Sequence, residues 1–248
     1  MTDSPTSQVA LLVGAGDAIG AAVARRFAAG GYHVCIARRD PEKSRSVVQE
    51  IEATGGVARA VSTDVRNEDA VQTLFVRVAA ELGPVEMCLF NAGANIKAPF
   101  IETSSRVFLK AWELACYGGF LVGREAARYM IPRAHGTILF TGATASVRGG
   151  SGFAAFAAAK FGLRAVAQSM ARELGPKNIH VAHLIIDGGL DSEAIHRRRS
   201  AATETMPELA PDALIQTRSV AEAYWTLHNQ SRDGWTHELD LRPYIERW

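Results

Sequence analysis

The stretch VALLVGAGDAIGAAVARRF, residues 9–27, passes from five apolar residues through Gly14, Gly16 and Gly20 into an alanine-rich segment. A short apolar run bounded by glycine is typical of a buried strand, and the segment after it favours a helix. Glycines at such a turn let the chain bend sharply, approach a pyrophosphate and pack the helix on the strand, while the helix N-terminus favours the negative charge. The stretch therefore predicts a strand, turn and helix that bind a dinucleotide. Close packing alone is the alternative explanation for the glycines.

Short apolar runs recur along the rest of the chain, with helical stretches between them. Six of these runs begin at His33, Val57, Val85, Thr137, Ile179 and His237. Strands that alternate with helices predict a doubly wound sheet, because parallel strands need right-handed helical crossovers. We expect one α/β domain over residues 1–248, with a seven-stranded, mostly parallel sheet and helices on both faces. A chain of 248 residues, 48% of them hydrophobic, can bury such a core.

Charge and composition exclude several other classes of protein. The formal net charge is +1 with acids and bases interspersed, which argues against a nucleic-acid partner and favours a small molecule. No apolar run approaches the roughly 20 residues of a membrane span, and no secretion signal is visible, so we expect a cytoplasmic protein without a membrane partner. Cys35, Cys88 and Cys116 form no CxxC pair and are expected to be reduced and buried. No metal site is expected.

The pattern of strands and helices breaks between residues 188 and 214, in a charged segment that contains two prolines. We expect a flexible, lid-like segment above the sheet, within the same domain. Its arginines 197–199 have two interpretations, a grip on an anionic substrate or a solvated face.

The sequence ARRD, residues 37–40, follows the second predicted strand. At this point of a dinucleotide-binding unit, an acidic residue binds the ribose of NAD, whereas an arginine suits the 2′-phosphate of NADP. Arg38 occupies the place of the acidic residue, and Arg39 follows it. We therefore expect NADP(H) to be preferred over NAD(H). A pair of solvated surface arginines is the alternative.

A single lysine stands among alanines and phenylalanines in SGFAAFAAAKFGL, residues 151–163. Positions four apart share one face of a helix, so Phe156 and Lys160 point towards whatever this helix covers. A core helix whose lysine extends to water is the plainer interpretation of this stretch alone.

Five segments match the motifs of one family in order and spacing. They are Val13, Gly14, Ala18 and Gly20 for TGxxxGxG, Asp64 and Val65 for DV, Asn91, Ala92 and Gly93 for NAG, Phe156 and Lys160 for YxxxK, and Asp187, Gly188 and Ser192 for PGxxxT. In these segments the chain resembles the short-chain dehydrogenase/reductase family, and it departs from the motifs at Val13, Ala18, Phe156 and Asp187. The resemblance implies a Rossmann fold and a nicotinamide dinucleotide cofactor.

The glycine turn and the resemblance together imply a set of cofactor contacts. These are Gly14, Gly16, Asp17, Ala18, Ile19, Gly20, Arg38, Arg39, Asp64, Val65, Asn91, Ala92, Gly93, Lys160, Gly188, Leu190 and Ser192. In the family, the lysine at the position of Lys160 holds the nicotinamide ribose. The resemblance also implies that helices around residues 115–130 and 153–174 pair between identical subunits, in a homodimer or homotetramer.

The resemblance breaks at the catalytic positions. The family's tyrosine acid, serine and asparagine are replaced by Phe156, Ala143 and Ala115, and only Lys160 remains. Phenylalanine keeps the shape of tyrosine but has no proton to give, and a positioned acid contributes roughly 10²- to 10⁴-fold to rate. Thr144 is a candidate for a substitute donor, although a turn or capping role is the plainer explanation.

Three functions stay open at this point. The first is an NADP(H)-dependent oxidoreductase whose small substrate, such as a quinone, an iminium or an activated alkene, needs no added acid. The second is a catalytically silent dinucleotide-binding sensor or assembly subunit. The third is chemistry by an unrecognised donor such as Thr144. His183 and Asp187, at the end of the sixth predicted strand, could also approach the site, although a satisfied polar loop is their plainer role.

Overall fold

The computed structural model describes residues 8–200 and 209–246, apart from the side chains of Ala194, Arg198 and Arg199. Its strands are β1 (Val9–Val13), β2 (His33–Arg38), β3 (Ala58–Ser62), β4 (Val85–Phe90), β5 (Thr137–Thr141), β6 (His180–Ile186) and β7 (Glu238–Leu241). Its α-helices are α1 (Ile19–Ala29), α2 (Arg45–Ala53), α3 (Glu68–Glu81), α4 (Ser105–Trp112), α5 (Gly118–Met130), α6 (Ala154–Leu174), α7 (Glu193–Ser200) and α8 (Thr217–His228).

The described strands form one sheet in the order β3-β2-β1-β4-β5-β6-β7, and every neighbouring pair is parallel. Along β1, Val9, Leu11 and Val13 belong to the core shared with α3, α5 and α6. Ala10 and Leu12 belong to the core shared with α1, α2 and α8. Helices on both faces explain why the central strand β1 is a continuous apolar run, and the predicted doubly wound α/β fold is confirmed.

The sheet has a switch point between β1 and β4, because β2 and β3 lie on one side of β1 and the later strands on the other. In such sheets, ligands bind beyond the carboxyl ends of the strands at this point. The loops there are tied together, since the amide of Asn91 donates to the carbonyl of Val13 (2.8 Å) and the amide of Gly14 donates to the carbonyl of Ala37 (2.8 Å). The fold therefore brings the glycine turn and the NAG segment to one edge.

The stretch expected as a helix around residues 115–130 is not one continuous α-helix. α4 ends at Trp112, residues Glu113–Tyr117 form a π-helical turn, and α5 begins at Gly118. Ala115 is buried within this turn. The extra residue of a π-helical turn shifts the apolar positions after it by one, and no residue type in this stretch marks where the shift occurs. Turns of this kind occur frequently at functional sites.

The segment after β6 begins and ends at a backbone junction. Leu190 and Ile215 form a parallel bridge. The amide of Ile215 donates to the carbonyl of Gly189 (2.8 Å), and the amide of Asp191 donates to the carbonyl of Ile215 (2.8 Å). α7 lies within the segment, and residues 201–208 lie outside the described residues. A flexible lid over residues 188–214 stays a prediction.

Cys35, Cys88 and Cys116 are free and buried, as expected. Burial raises the pKa of the Cys35 thiol to about 12. Across the described ranges, no helix has the length and hydropathy of a membrane span, and no group of three or more His, Cys, Asp or Glu side chains could hold a metal ion.

Candidate functional site

Two adjoining cavities open at the switch point. The first, the arginine cleft, has a volume of about 290 Å³. It is lined by Gly14, Ala15, Gly16, Arg38, Arg39, Asp40, Lys43, Thr63, Asp64, Val65, Ala92, Gly93 and Leu114. The second, the lysine cavity, has a volume of about 570 Å³. It is lined by Ile19, Asn91, Gly93, Asn95, Thr141, Gly142, Ala143, Thr144, Ala145, Arg148, Gly150, Phe153, Phe156, Lys160, Ile186, Gly188 and Leu190. Gly93 lines both cavities, so they meet at the loop after β4.

Glycine is needed at positions 14 and 20 of the opening turn for steric reasons that do not apply to Gly16. Gly14 has a φ of +74°, and a Cβ there would lie 2.5 Å from that of Ala92. A Cβ at Gly20 would lie 2.4 Å from that of Ala15. Gly16 has neither constraint, because an added Cβ would meet nothing within 4 Å. Its missing side chain leaves space in the arginine cleft, which fits the close approach of a pyrophosphate.

Arg38 ends β2 and lines the arginine cleft beside Arg39. Its Nη1 donates to Oδ1 of Asp17 (2.6 Å), with the Arg38 side chain 18% exposed and that of Asp17 73% exposed. Lys43, on the 3₁₀ turn Pro41–Ser44, lines the same cleft. The sequence analysis missed Lys43 because it lies beyond the ARRD motif. Three cations close together suit a phosphate group.

Asp64, at the family's adenine-contact position, already has a charged partner. Nε of Arg66 donates to its Oδ1 (2.9 Å) and Nη2 donates to its Oδ2 (2.6 Å). These hydrogen bonds lower the pKa of the Asp64 carboxyl to about 2. The group is therefore an anion at neutral pH, and its remaining lone pairs can still accept a hydrogen bond from a ligand in the cleft.

Lys160 lies on α6 and is only 4% exposed. Its Nζ donates to the carbonyl oxygen of Thr141, at the end of β5 (2.7 Å). A Cβ at Gly93 would lie 3.3 Å from this Nζ, which places the ammonium at the junction of the two cavities. Burial lowers the pKa of Lys160 to about 8. The interpretation of a lysine that extends to water is therefore wrong.

Phe156 lies one helical turn before Lys160, and both line the lysine cavity, as their spacing predicts. Ala143 lines the same cavity after β5. An aromatic ring without a hydroxyl and a methyl group thus stand where the family has its phenol and its serine. Ala115, and Tyr117 in the same π-helical turn, lie outside the linings of both cavities.

Thr144 lines the lysine cavity, and its hydroxyl donates to Oδ1 of Asp187 (2.5 Å). Asp187 is 6% exposed, and its Oδ2 lies 3.2 Å from Nη2 of Arg242. A hydroxyl bonded to a carboxylate is a poor acid, because loss of its proton would place two negative charges together. Sequence spacing did not reveal this pair, since β6 separates the two residues.

His183, the other polar candidate of β6, is fully buried and does not line the cavity. Its Nε2 lies 3.4 Å from the hydroxyl oxygen of Ser146, and its Nδ1 lies 3.4 Å from Oε2 of Glu238. Burial lowers the pKa of His183 to about 4. The ring is therefore neutral near pH 7 and packs behind the Ala143 turn.

Two of the expected cofactor contacts, Ala18 and Ser192, are absent from the linings of the two cavities, whereas Ile19, the first residue of α1, lines the lysine cavity. Ala18 precedes α1, and Ser192 precedes α7, where its Oγ accepts the amide of Ile195 (3.4 Å). Neither residue is in the lining of the arginine cleft or the lysine cavity. Gly188 and Leu190, from the same segment as Ser192, do line the lysine cavity.

The arginines 197–199 lie on α7. Nε of Arg197 lies 3.7 Å from Oε1 of Glu193, one turn away. The side chains of Arg198 and Arg199 lie outside the described residues. Binding of an anionic substrate by arginines 197–199 stays a prediction.

Comparison with protein families and their members agrees with this geometry. The family model described as short chain dehydrogenase matches residues 8–202. The uncharacterized oxidoreductase YuxG of Bacillus subtilis is 37% identical over 195 residues, which are 76% of this chain and 28% of that protein. The chain therefore spans less than a third of this relative. A short-chain dehydrogenase/reductase of Armillaria gallica is 31% identical over 183 residues, with 73% of this chain and 70% of the relative covered.

Solved structures resemble the whole fold. A short-chain dehydrogenase from Rhodopseudomonas palustris is 50% identical, with a TM-score of 0.83 over 97% of this chain and 100% of that chain. A metagenomic short-chain oxidoreductase in complex with NADP is 26% identical, with a TM-score of 0.80 over 98% of this chain and 100% of that chain. Matched along most of its length by the family model and by these relatives, the chain belongs to the short-chain dehydrogenase/reductase family.

Proposed function

We propose that this protein is an NADP(H)-dependent oxidoreductase that acts on a small substrate whose product needs no proton from a phenol. The observation that carries the proposal is the junction of the two cavities at Gly93, where the Lys160 ammonium meets a cavity walled by Phe156. A cleft that suits a dinucleotide thus continues into a cavity that suits a substrate.

The residues of the arginine cleft fit the adenosine half of NADP(H). Arg38 and Arg39 would bind the 2′-phosphate by charge-assisted hydrogen bonds, and the space beside Gly16 would admit the pyrophosphate. Lys160, already held by the Thr141 carbonyl, would donate to the hydroxyls of the nicotinamide ribose. When bound, the cofactor supplies or accepts a hydride. The solved relative in complex with NADP supports this assignment.

The substrate class follows from the missing acid. Reduction of an ordinary ketone produces an alkoxide that must be protonated as it forms, and a positioned acid contributes roughly 10²- to 10⁴-fold. Phe156 has no such proton, and the Thr144 hydroxyl is directed at the Asp187 carboxylate. A quinone, an iminium or an activated alkene leaves a stabilised product, so positioning in the lysine cavity is sufficient.

The test follows NADPH oxidation by the wild-type protein with a panel of quinones, activated alkenes and simple ketones. We expect turnover of a quinone or an alkene. Phe156→Tyr, Ala143→Ser and Ala115→Asn together should add ketone reduction, because Lys160 would again neighbour a phenol and lower its pKa. Adding Lys160→Ala to this triple variant should remove the new activity.

Two outcomes would contradict the proposal. Wild-type turnover of simple ketones at around 10 per second, lost in Thr144→Val, would assign the proton to Thr144. Binding of NADPH without turnover of any compound in the panel, by the wild type or the triple variant, would favour a dinucleotide-binding sensor.

We also propose a cytoplasmic homodimer or homotetramer. Large apolar side chains are exposed on α4, α5 and α6, and they are Phe108, Leu109, Trp112, Phe120 and Phe161. Exposed apolar surface of this kind commonly marks an interface, and identical subunits usually pair symmetrically. The family resemblance points to the same helices.

A further inference from the structure

The lysine cavity has an unbalanced charge. Among the described residues, its lining contains Arg148 and Lys160 but no aspartate or glutamate. The Asp187 carboxylate, which accepts the hydroxyl of the lining residue Thr144, pairs with Arg242. The cavity is therefore cationic, and the Thr141 carbonyl uses one of the three donors of the Lys160 ammonium.

Arg148 is the exposed cation in the lining of this cavity. Its backbone amide donates to the carbonyl of Thr144 (3.0 Å), which fixes the chain there. Its exposed guanidinium makes no hydrogen bond or ion pair with any described residue. Arg38 and Arg164, in contrast, are each paired with a carboxylate at 2.6 Å. A planar guanidinium with free donors at a cavity is well suited to a bidentate carboxylate.

A second cation lies next to the same wall. Nζ of Lys97 lies 5.8 Å from the ring centroid of Phe153, and this ring lines the lysine cavity. The loop of Lys97 is joined to the Arg148 side of the cavity because the amide of Ala98 donates to the carbonyl of Gly152 (2.9 Å). Two loops therefore present positive charge around an aromatic wall.

We propose that the substrate is a planar ring that carries a carboxylate, with Arg148 as the anchor of the carboxylate and the rings of Phe153 and Phe156 against the substrate ring. Lys97 adds a second, weaker attraction. This inference rests on the proposed function only in taking the lysine cavity as the substrate site.

The first arm of the test measures binding without turnover. Isothermal titration calorimetry compares benzoate with benzamide, a neutral ring of the same size, on the protein saturated with NADPH and on the protein alone. We expect benzoate to bind about 10-fold or more tightly than benzamide, as for a hydrogen bond to a charged group. Arg148→Gln should bring the ratio of benzoate affinity to benzamide affinity close to one, and Arg148→Lys should retain part of the preference for benzoate.

The second arm measures turnover of a matched pair, 1,4-naphthoquinone with and without a 2-carboxylate. The ratio of kcat/KM for the acid to kcat/KM for the neutral quinone should fall about 10-fold or more in Arg148→Gln. The matched control is Arg128→Gln, because Arg128 lies on α5, is paired with Glu125 at 2.7 Å and does not line the cavity. This control should leave unchanged both the affinity ratio of benzoate to benzamide and the kcat/KM ratio of the two quinones.

Equal binding of benzoate and benzamide, no measurable binding of either, or a ratio unchanged by Arg148→Gln would overturn the inference. If neither quinone is reduced but benzoate shows the Arg148-dependent preference, the proposed function fails and the anion site stands. If the neutral quinone is reduced and no preference for the carboxylate is found, the proposed function stands and the anion site fails.

Discussion

Replacement of Arg38 by glutamine should separate the two cofactors by affinity. A hydrogen bond to a charged group is worth about 1.5–3 kcal/mol. Binding a 2′-phosphate would displace or share the bond between Arg38 and Asp17, and an ion pair with an exposed partner such as the Asp17 carboxylate contributes about 0–1 kcal/mol. The net loss is therefore about 0.5 to 3 kcal/mol, which is roughly a 2- to 160-fold rise in the Kd for NADPH. The Kd for NADH, which lacks the phosphate, should change by less than about twofold.

The same reasoning predicts the opposite effect at Asp17. Asp17→Asn removes the competing carboxylate from Arg38, so NADPH should bind up to about fivefold more tightly. Isothermal titration calorimetry with both cofactors measures these changes. Arg45→Gln is the control, because Arg45 pairs with Glu42 at 3.1 Å and lies outside the arginine cleft. An Arg38→Gln variant that weakens both cofactors equally, or neither, would refute the assignment of Arg38 to the 2′-phosphate.

Two further predictions concern the buried lysine and the assembly. Because burial lowers the pKa of Lys160 to about 8, the unfolded chain binds more protons between that pH and the ordinary lysine pKa of about 10.4, and wild-type stability should rise with pH through this window. Urea unfolding measures the free energy of unfolding of the wild type and of Lys160→Met at each pH. Between pH 7 and about 10.4, the wild-type value should rise relative to that of the variant by up to about 3 kcal/mol. A difference between the two proteins that stays constant with pH would contradict the lowered pKa of Lys160. Light scattering should show a wild-type dimer or tetramer at micromolar concentration, and Phe161→Arg should dissociate it. The control Val76→Arg, at an exposed apolar position on α3, should leave the oligomer intact. A stable wild-type monomer would count against the proposed assembly.

Much of the fold could be predicted because its signals are local. The run that became β1 is continuously apolar since both faces of the sheet are covered, and the spacing of Phe156 and Lys160 correctly placed both on one wall. The Asp187 bond to Thr144 could not be predicted, because it joins the ends of two strands that become neighbours only in the sheet.

The same limit explains two other differences. The pairing of Arg38 with Asp17 depends on how the β1 and β2 turns face each other, which neither motif encodes. Lys43 reaches the arginine cleft through a 3₁₀ turn that begins at Pro41, and no residue spacing announces that direction. Charge partners across loops therefore had to come from the structure.

The backbone junction of Leu190 with Ile215 fixes the two ends of the intervening chain, so we expect this segment to be exchangeable without a change in the rest of the fold. Its two ends are held side by side by the backbone hydrogen bonds of this junction, and the Asp191 carboxylate also accepts a hydrogen bond from Nε2 of Gln216 (2.8 Å). Loop-closure entropy grows slowly with length, so a doubling costs only about 0.6 kcal/mol. Segments of different length and composition could therefore be grafted between these residues to recruit new substrates, while the sheet and the Lys160 junction stay as they are.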